Sequence, residues 1–167
     1  MKSIMLMRHA KSSRDSAGKD FDRPLAERGK EDVSRMGVFI KGVKASPGYI
    51  MSSPAKRTKQ TVRLFTKTAG IGSSLINWNK DFYSGGTEDY LAAIQEAPDK
   101  TDNILLVGHN PLLEETVSLL CNKEGIYTVR MPTGSLVCIE HPAIKWKQVK
   151  SGTARIKWMI IPELLNK

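Results

Sequence analysis

Only two of the 167 residues are cysteine and only three are histidine. Two cysteines make no disulfide framework, and Cys121 and Cys138 both sit in apolar surroundings, where reduced, buried thiols are expected. There is no His-x-x-x-His and no Cys-x-x-Cys, so no metal site is expected, and the third histidine, His141, stands before Pro142 in a late loop. Walker A loops, dinucleotide fingerprints, repeats and low-complexity segments are all missing, and no cofactor is expected. No apolar run is long enough to span a membrane. The opening apolar stretch breaks at Arg8, too early for a secretory leader, which makes cytoplasmic residence the default expectation.

Acidic residues are also few: 17 Asp and Glu stand against 26 Lys and Arg, a net charge of +9. Such an excess favours phosphates, acidic proteins or nucleic acid as partners. The basic residues form no arm or block and do not alternate with aromatics, which argues against a base-stacking nucleic-acid surface. With 40% hydrophobic residues the chain can bury a core, and residues 1–167 are expected to form one domain.

The pattern of apolar residues alternates between strand and helix. A first strand is expected over residues 3–7, followed by a polar loop over 11–23. Leu25, Val33, Met36, Phe39 and Ile40 then give a helical stripe after Pro24, despite Gly29 and Gly37. A short strand over 49–51 precedes Ser52-Ser53-Pro54, where Ser53 is expected to cap a helix and Pro54 to open it. That helix runs to about 68, and a short strand is expected within 71–78. Beyond Gly85-Gly86, a helix begins near Thr87, and a buried strand ends at Gly108-His109 before another helix opens at Pro111. Strand-like pieces at 127–131, 135–140 and 153–161 complete the chain. This order predicts an α/β fold with a mostly parallel central sheet, helices on both faces and three layers in all. Ligands in such folds bind beyond the carboxyl ends of the strands, where Arg8, His9 and His109 fall.

His9 is a candidate nucleophile or acid–base group; an anion contact or a structural role are the alternatives. The adjacent arginine disfavours a metal cation at this position. Arg8 would point to the opposite face of a regular strand, so it joins His9 in one pocket only if the strand has ended; otherwise it pairs with a neighbouring carboxylate. Arg57, early in a helix, can fork onto phosphate oxygens, with Lys56 and Lys59 as competing anchors. His109, before a helix start, is either an anion donor or a buried structural residue.

Arg8-His9-Ala10-Lys11-Ser12-Ser13, Asp22-Arg23-Pro24-Leu25, Ser52-Ser53-Pro54-Ala55-Lys56-Arg57-Thr58 with Thr61, Val107-Gly108-His109-Asn110-Pro111 and Met131-Pro132-Thr133-Gly134-Ser135 follow one another in order. Together they resemble the histidine phosphatase superfamily, of phosphoglycerate-mutase-like fold, and within it the small SixA-like phosphohistidine phosphatases. The resemblance implies that His9 carries the phosphoryl group during turnover and that Arg8, Arg57 and His109 bind phosphate. It implies that Thr133, Gly134 or Ser135 orients His9 or touches the phosphate, although Thr-Gly-Ser is by itself a turn signal. The implied partner is a phosphohistidine protein or a small phosphorylated molecule; a non-catalytic phosphoprotein- or nucleic-acid-binding module is the alternative. Two departures stand out. The common Arg-His-Gly reads Arg8-His9-Ala10, and the stretch that carries a general acid in larger members is short here, leaving Asp81, Glu88 and Asp89, or a loop residue such as Asp22, as candidates, or no acid at all.

Overall fold

Alternation along the first strand, β1 (Lys2–Arg8), decides the layering. Ile4 and Leu6 enter one core and Met5 and Met7 the other, all almost completely buried. The computed structural model describes residues 1–14, 17–122 and 129–166. β4 (Asn103–Gly108) repeats the division, with Ile104 and Leu106 on one side and Leu105 and Val107 on the other. Each such side chain taken from water contributes about 1.5–3 kcal/mol, so these two strands anchor both cores.

Six strands form one sheet in the order β3-β2-β4-β1-β5-β6. β2 (Tyr49–Ser52), β3 (Ile76–Trp78), β4 and β1 run parallel, while β5 (Leu136–His141) and β6 (Arg155–Ile160) are antiparallel additions. Helices α1 (Glu27–Gly42) and α2 (Lys56–Ala69) cover one face through Val33, Met36, Ile40, Val62 and Phe65. The other face is covered by a short α3 (Asp81–Ser84), α4 (Thr87–Gln95) and α5 (Leu112–Cys121), through Phe82, Tyr90, Ile94, Leu113 and Val117. The molecule is therefore the three-layer α/β fold expected, with a mostly parallel sheet, and it is phosphoglycerate-mutase-like.

The two glycines inside α1 have a packing reason. A Cβ on Gly29 would strike the Lys11 carbonyl, and one on Gly37 would strike Thr68 of α2. Both let α1 approach its neighbours closely, at the propensity cost of glycine in a helix.

Three expectations need correction. α2 begins at Lys56, with Ala55 in the cap position and no side-chain cap; the Ser53 hydroxyl, expected as the cap, accepts the Ala55 N–H at 3.4 Å just ahead of the helix and also meets His109. α1 begins at Glu27 rather than near Pro24, because residues 11–13 and 24–26 are tied to each other first, through Ser13 N–H to Pro24 carbonyl and Ala26 N–H to Lys11 carbonyl. Of the expected strand at 127–131, residues 127 and 128 lie outside the described residues, and 129–131 are irregular. Met131 there spends its backbone on side chains: its carbonyl accepts from Arg8 and Asn110, and its N–H donates to Glu114. Cys138 is buried and Cys121 half-buried, both as free thiols.

Candidate active site

Parallel pairing builds the site. Arg8 ends β1 in register with Gly108, which ends β4, and Ser52 ends β2 opposite Val107. His9, His109 and Ser53 therefore leave the carboxyl edge of the sheet side by side. His9 N–H donates to the Gly108 carbonyl at 3.0 Å and Ser53 N–H to the Val107 carbonyl at 3.0 Å. β1 ends at Arg8, which meets the condition for Arg8 and His9 to share a pocket. The turn at Thr133-Gly134 holds that end: Gly134, at φ 76°, donates its N–H to the carbonyls of Arg8 and His9 at 3.2 and 3.1 Å. A left-handed backbone at this point favours glycine.

His9 is buried, and its Nδ1 lies 2.8 Å from the Ala10 carbonyl. A carbonyl can only accept, so Nδ1 carries the proton and Nε2 keeps its lone pair. Burial pushes the His9 pKa down to about 4; the Ala10 bond opposes this, and the charges of Arg57, Arg8 and Arg23 reinforce it. Ala10 is fixed in turn by Thr61, whose hydroxyl accepts the Ala10 N–H at 3.2 Å and donates to the Arg57 carbonyl at 2.7 Å.

His109 places Nε2 2.9 Å from Ser53 Oγ. With the Ser53 hydroxyl donating to Nε2, His109 carries its proton on Nδ1, a buried atom without a partner. Burial first, and then the neighbouring His9 and Arg57, hold its pKa at about 3. Arg8 donates from Nη1 to the Met131 carbonyl at 2.9 Å, and its buried Nε is free. Arg57 donates from Nη1 to the Asp20 carbonyl at 2.7 Å and from Nη2 to Asp20 Oδ2 at 3.0 Å, again leaving a buried Nε free. Ser135 Oγ is also buried without a partner, while its carbonyl accepts the Arg8 N–H at 3.1 Å. Thr133 is half-buried in the turn, with no side-chain hydrogen bond among the described residues.

Neutral imidazoles and unpartnered cationic N–H groups thus converge where the strands end. Buried donors are normally satisfied by protein, water or a ligand, and by its chemistry this set suits a tetrahedral oxyanion.

Some neighbours of this set carried no signal of their own in the sequence. Asp20 accepts from Arg57 and, at 3.0 Å, from the Tyr83 hydroxyl, and pairs with Arg23 at 3.4 Å. Burial raises its pKa, but the bonds from Tyr83 and Arg57 and the charges of Arg57 and Arg23 outweigh this and leave it lowered. Tyr83 lies edge-on to both Phe21 and His109, at 5.0 and 5.5 Å between ring centroids. Arg23 also donates to Ser12, which fastens the loop to the end of β1. The one available clue was the position of Asp20 just before Asp22-Arg23-Pro24. The candidate acids lie apart from this set: Glu88 is exposed and bonded to Thr87, and Asp81 is exposed at the start of α3. Neither shares a hydrogen bond or ion pair with the four pocket residues. Asp22 is exposed on the helical turn Asp20–Asp22. Among the described residues no three His, Cys, Asp or Glu side chains gather as a metal site.

Fold and site together define an α/β protein in which His9, His109, Arg8 and Arg57 gather at the carboxyl edge of a mostly parallel sheet. The sequence model of the histidine phosphatase superfamily (branch 1) matches residues 4–81. An uncharacterised chloroplastic protein of Arabidopsis thaliana is 31% identical over 174 residues, covering 96% of this chain and 78% of the relative. Among solved structures, the protein histidine phosphatase SixA in complex with tungstate superposes with a TM-score of 0.84 at 22% identity, over 98% of this chain and 99% of that one. A protein assigned as a phosphohistidine phosphatase SixA from Agrobacterium tumefaciens superposes at 0.78 with 26% identity, over 96% and 98% of the two chains. The fold also extends to a phosphoserine phosphatase of Entamoeba histolytica, at 0.67 and 15% identity over 95% and 96%. This chain belongs to the histidine phosphatase superfamily.

Proposed function

We propose that the protein is a phosphatase that removes phosphoryl groups from phosphohistidine on proteins, by way of phospho-His9. The observation that carries the reading is His9 itself: neutral, fixed through Nδ1–H on the Ala10 carbonyl, and facing buried, unpartnered donors. The Nε2 lone pair attacks phosphorus in line, and the bond from phosphorus to the leaving atom breaks, its electron pair going to that atom. Arg8, Arg57 and His109 donate to the equatorial oxygens as charge builds there. Water then attacks phospho-His9; the N–P bond returns its pair to Nε2, restoring the neutral ring, and the water proton passes to phosphate or solvent.

The choice of phosphohistidine rests on the leaving group. Among the described residues, the carboxylate hydrogen-bonded to a pocket arginine is Asp20, whose lowered pKa and bond to Arg57 make it a poor proton donor. A protonated phosphohistidine ring leaves as neutral imidazole and needs no proton from the enzyme, whereas an alkoxide leaving group does. The test is turnover of a phosphohistidine peptide, a phosphoserine peptide and an aryl phosphate, with EDTA present throughout. Rapid hydrolysis of phosphohistidine and aryl phosphate with slow hydrolysis of phosphoserine is expected. Preference for phosphoserine or another alkyl ester would assign the site to small phosphomonoesters, and binding without turnover would make it a recognition module.

A further inference from the structure

Helix α2 delivers Arg57 to the pocket, yet its opposite side does something the pocket does not require. Lys56, Lys59, Arg63 and Lys67 follow one another at spacings of three and four, which places them within about 80° of the helix circumference, opposite the buried stripe of Thr58, Val62 and Phe65. None of the four makes an ion pair among the described residues, and the first turn of α2 contains no acidic residue. Cations at a helix N-terminus oppose the helix dipole, so Lys56 and Lys59 stand where helix stability alone would not put them.

Trp78 completes the surface. It ends edge strand β3 in register with Ser52, at the same carboxyl edge as the site, and remains 43% exposed. Lys59 Nζ lies 5.5 Å and the Arg63 guanidinium carbon 5.6 Å from its ring centroid. Beyond Trp78, away from α2, lies a separate groove of about 560 Å³ whose lining includes Asp81 and Glu96, so the cationic surface ends at Trp78.

We propose that the Lys56–Lys59–Arg63–Lys67 face, with Trp78 at its edge, docks an acidic segment of the phosphorylated protein whose phosphohistidine enters the pocket. This rests on the phosphohistidine reading above and adds a requirement on the substrate's sequence. The four cations span about 16 Å along the helix, the length of about five extended residues. Acidic side chains flanking the phosphohistidine within that distance would meet uncompensated positive charge. A nucleic acid would use Trp78 for base stacking, but Lys59 and Arg63 already lie over that ring. The observations therefore favour a carboxylate-rich protein segment.

The test compares phosphohistidine held in an acidic peptide and in a basic peptide, with an aryl phosphate as the small substrate, in the wild-type protein and in K59E/R63E. The acidic peptide should be favoured by about tenfold or more in kcat/KM at low salt, and that preference should shrink as salt is raised. K59E/R63E should abolish or invert it while changing aryl phosphate turnover less than twofold, which also shows that the variant is folded. Equal use of the two peptides by wild type, or a parallel loss for peptide and aryl phosphate, would overturn the docking face. If neither peptide is hydrolysed while the aryl phosphate is, the phosphohistidine reading fails separately. Docking is then decided by whether the unphosphorylated acidic peptide inhibits aryl phosphate turnover in wild type and not in K59E/R63E; no inhibition overturns it. Stronger inhibition by single-stranded oligonucleotide than by the acidic peptide would replace the protein partner with nucleic acid.

Discussion

The rings of His9 and His109 lie 5.2 Å apart, tilted by 52°, and neither is protonated at neutral pH. Burial and the charges of Arg8 and Arg57 keep them so. In this state the two rings add no charge beside the two arginines, and His9 keeps on Nε2 the lone pair that the proposed mechanism uses.

Stability should therefore depend on pH in a defined direction. As pH falls below 6.5 an unfolded histidine takes up a proton, while folded His9 resists to about 4 and folded His109 to about 3. The unfolded state then binds more protons, so stability is full above about 6.5 and is lost as pH falls towards 4. At pH 5 the loss is roughly 2 kcal/mol per histidine, since each pH step below 6.5 costs about 1.4 kcal/mol while the folded ring stays neutral. Urea unfolding at pH 7 and pH 5 measures it, and His9→Ala should show the shallower slope.

Removing the nucleophile should end turnover and leave the fold in place. His9→Ala is expected to lose activity completely, and rapid quench of wild type should trap label on His9 as an acid-labile, base-stable adduct. Retention of a tenth of wild-type kcat, or the absence of the adduct at normal turnover, would point to direct attack by water.

Arg57 spends Nη1 and Nη2 on Asp20 and keeps a buried Nε–H for an anion, a planar arrangement that lysine cannot copy. Arg57→Lys should lower kcat/KM, and Arg57→Ala should cost about 2–4 kcal/mol of transition-state stabilisation, the scale of losing an oxyanion donor. Unchanged kcat/KM in Arg57→Ala would exclude it from the pocket.

Asp20 holds the Arg57 fork through Nη1 and Nη2, placing a negative charge beside the anion site. Asp20→Asn keeps an acceptor for Tyr83 and Arg57 but removes the charge. Competitive inhibition by inorganic phosphate or tungstate should tighten by about threefold to tenfold, since a close pair of like charges interacts by around a kcal/mol or more at partly exposed sites. Weaker inhibition would show that Asp20 chiefly orients Arg57.

Glu88 is exposed and bonded to its neighbour Thr87. Glu88→Gln should slow aryl phosphate and phosphohistidine turnover less than about threefold. A selective fall of 10²–10⁴-fold on an alkyl phosphate, the range for a positioned acid, would identify Glu88 as the proton donor and weaken the phosphohistidine reading.

What the sequence determined by itself is what local periodicity can encode. The two-residue alternation of Ile4, Met5, Leu6 and Met7 dictates a strand buried on both faces, and the stripe Val33, Met36 and Ile40 dictates the packed side of α1. The order of those elements, with Arg8-His9 and Gly108-His109 at strand ends, was enough to gather both histidines at one edge of a parallel sheet. Tertiary structure alone decided the partners of their side chains. Ser53 reads as a helix cap from its neighbours, yet its hydroxyl meets His109 across 56 residues of sequence. Asp20 reads as one more polar loop residue, yet it holds Arg57 across 37 residues and Tyr83 across 63. Burial repeats along a chain with the period of its backbone, so it can be read locally. A hydrogen bond between loops depends on where the sheet sets them down, and no local pattern records that.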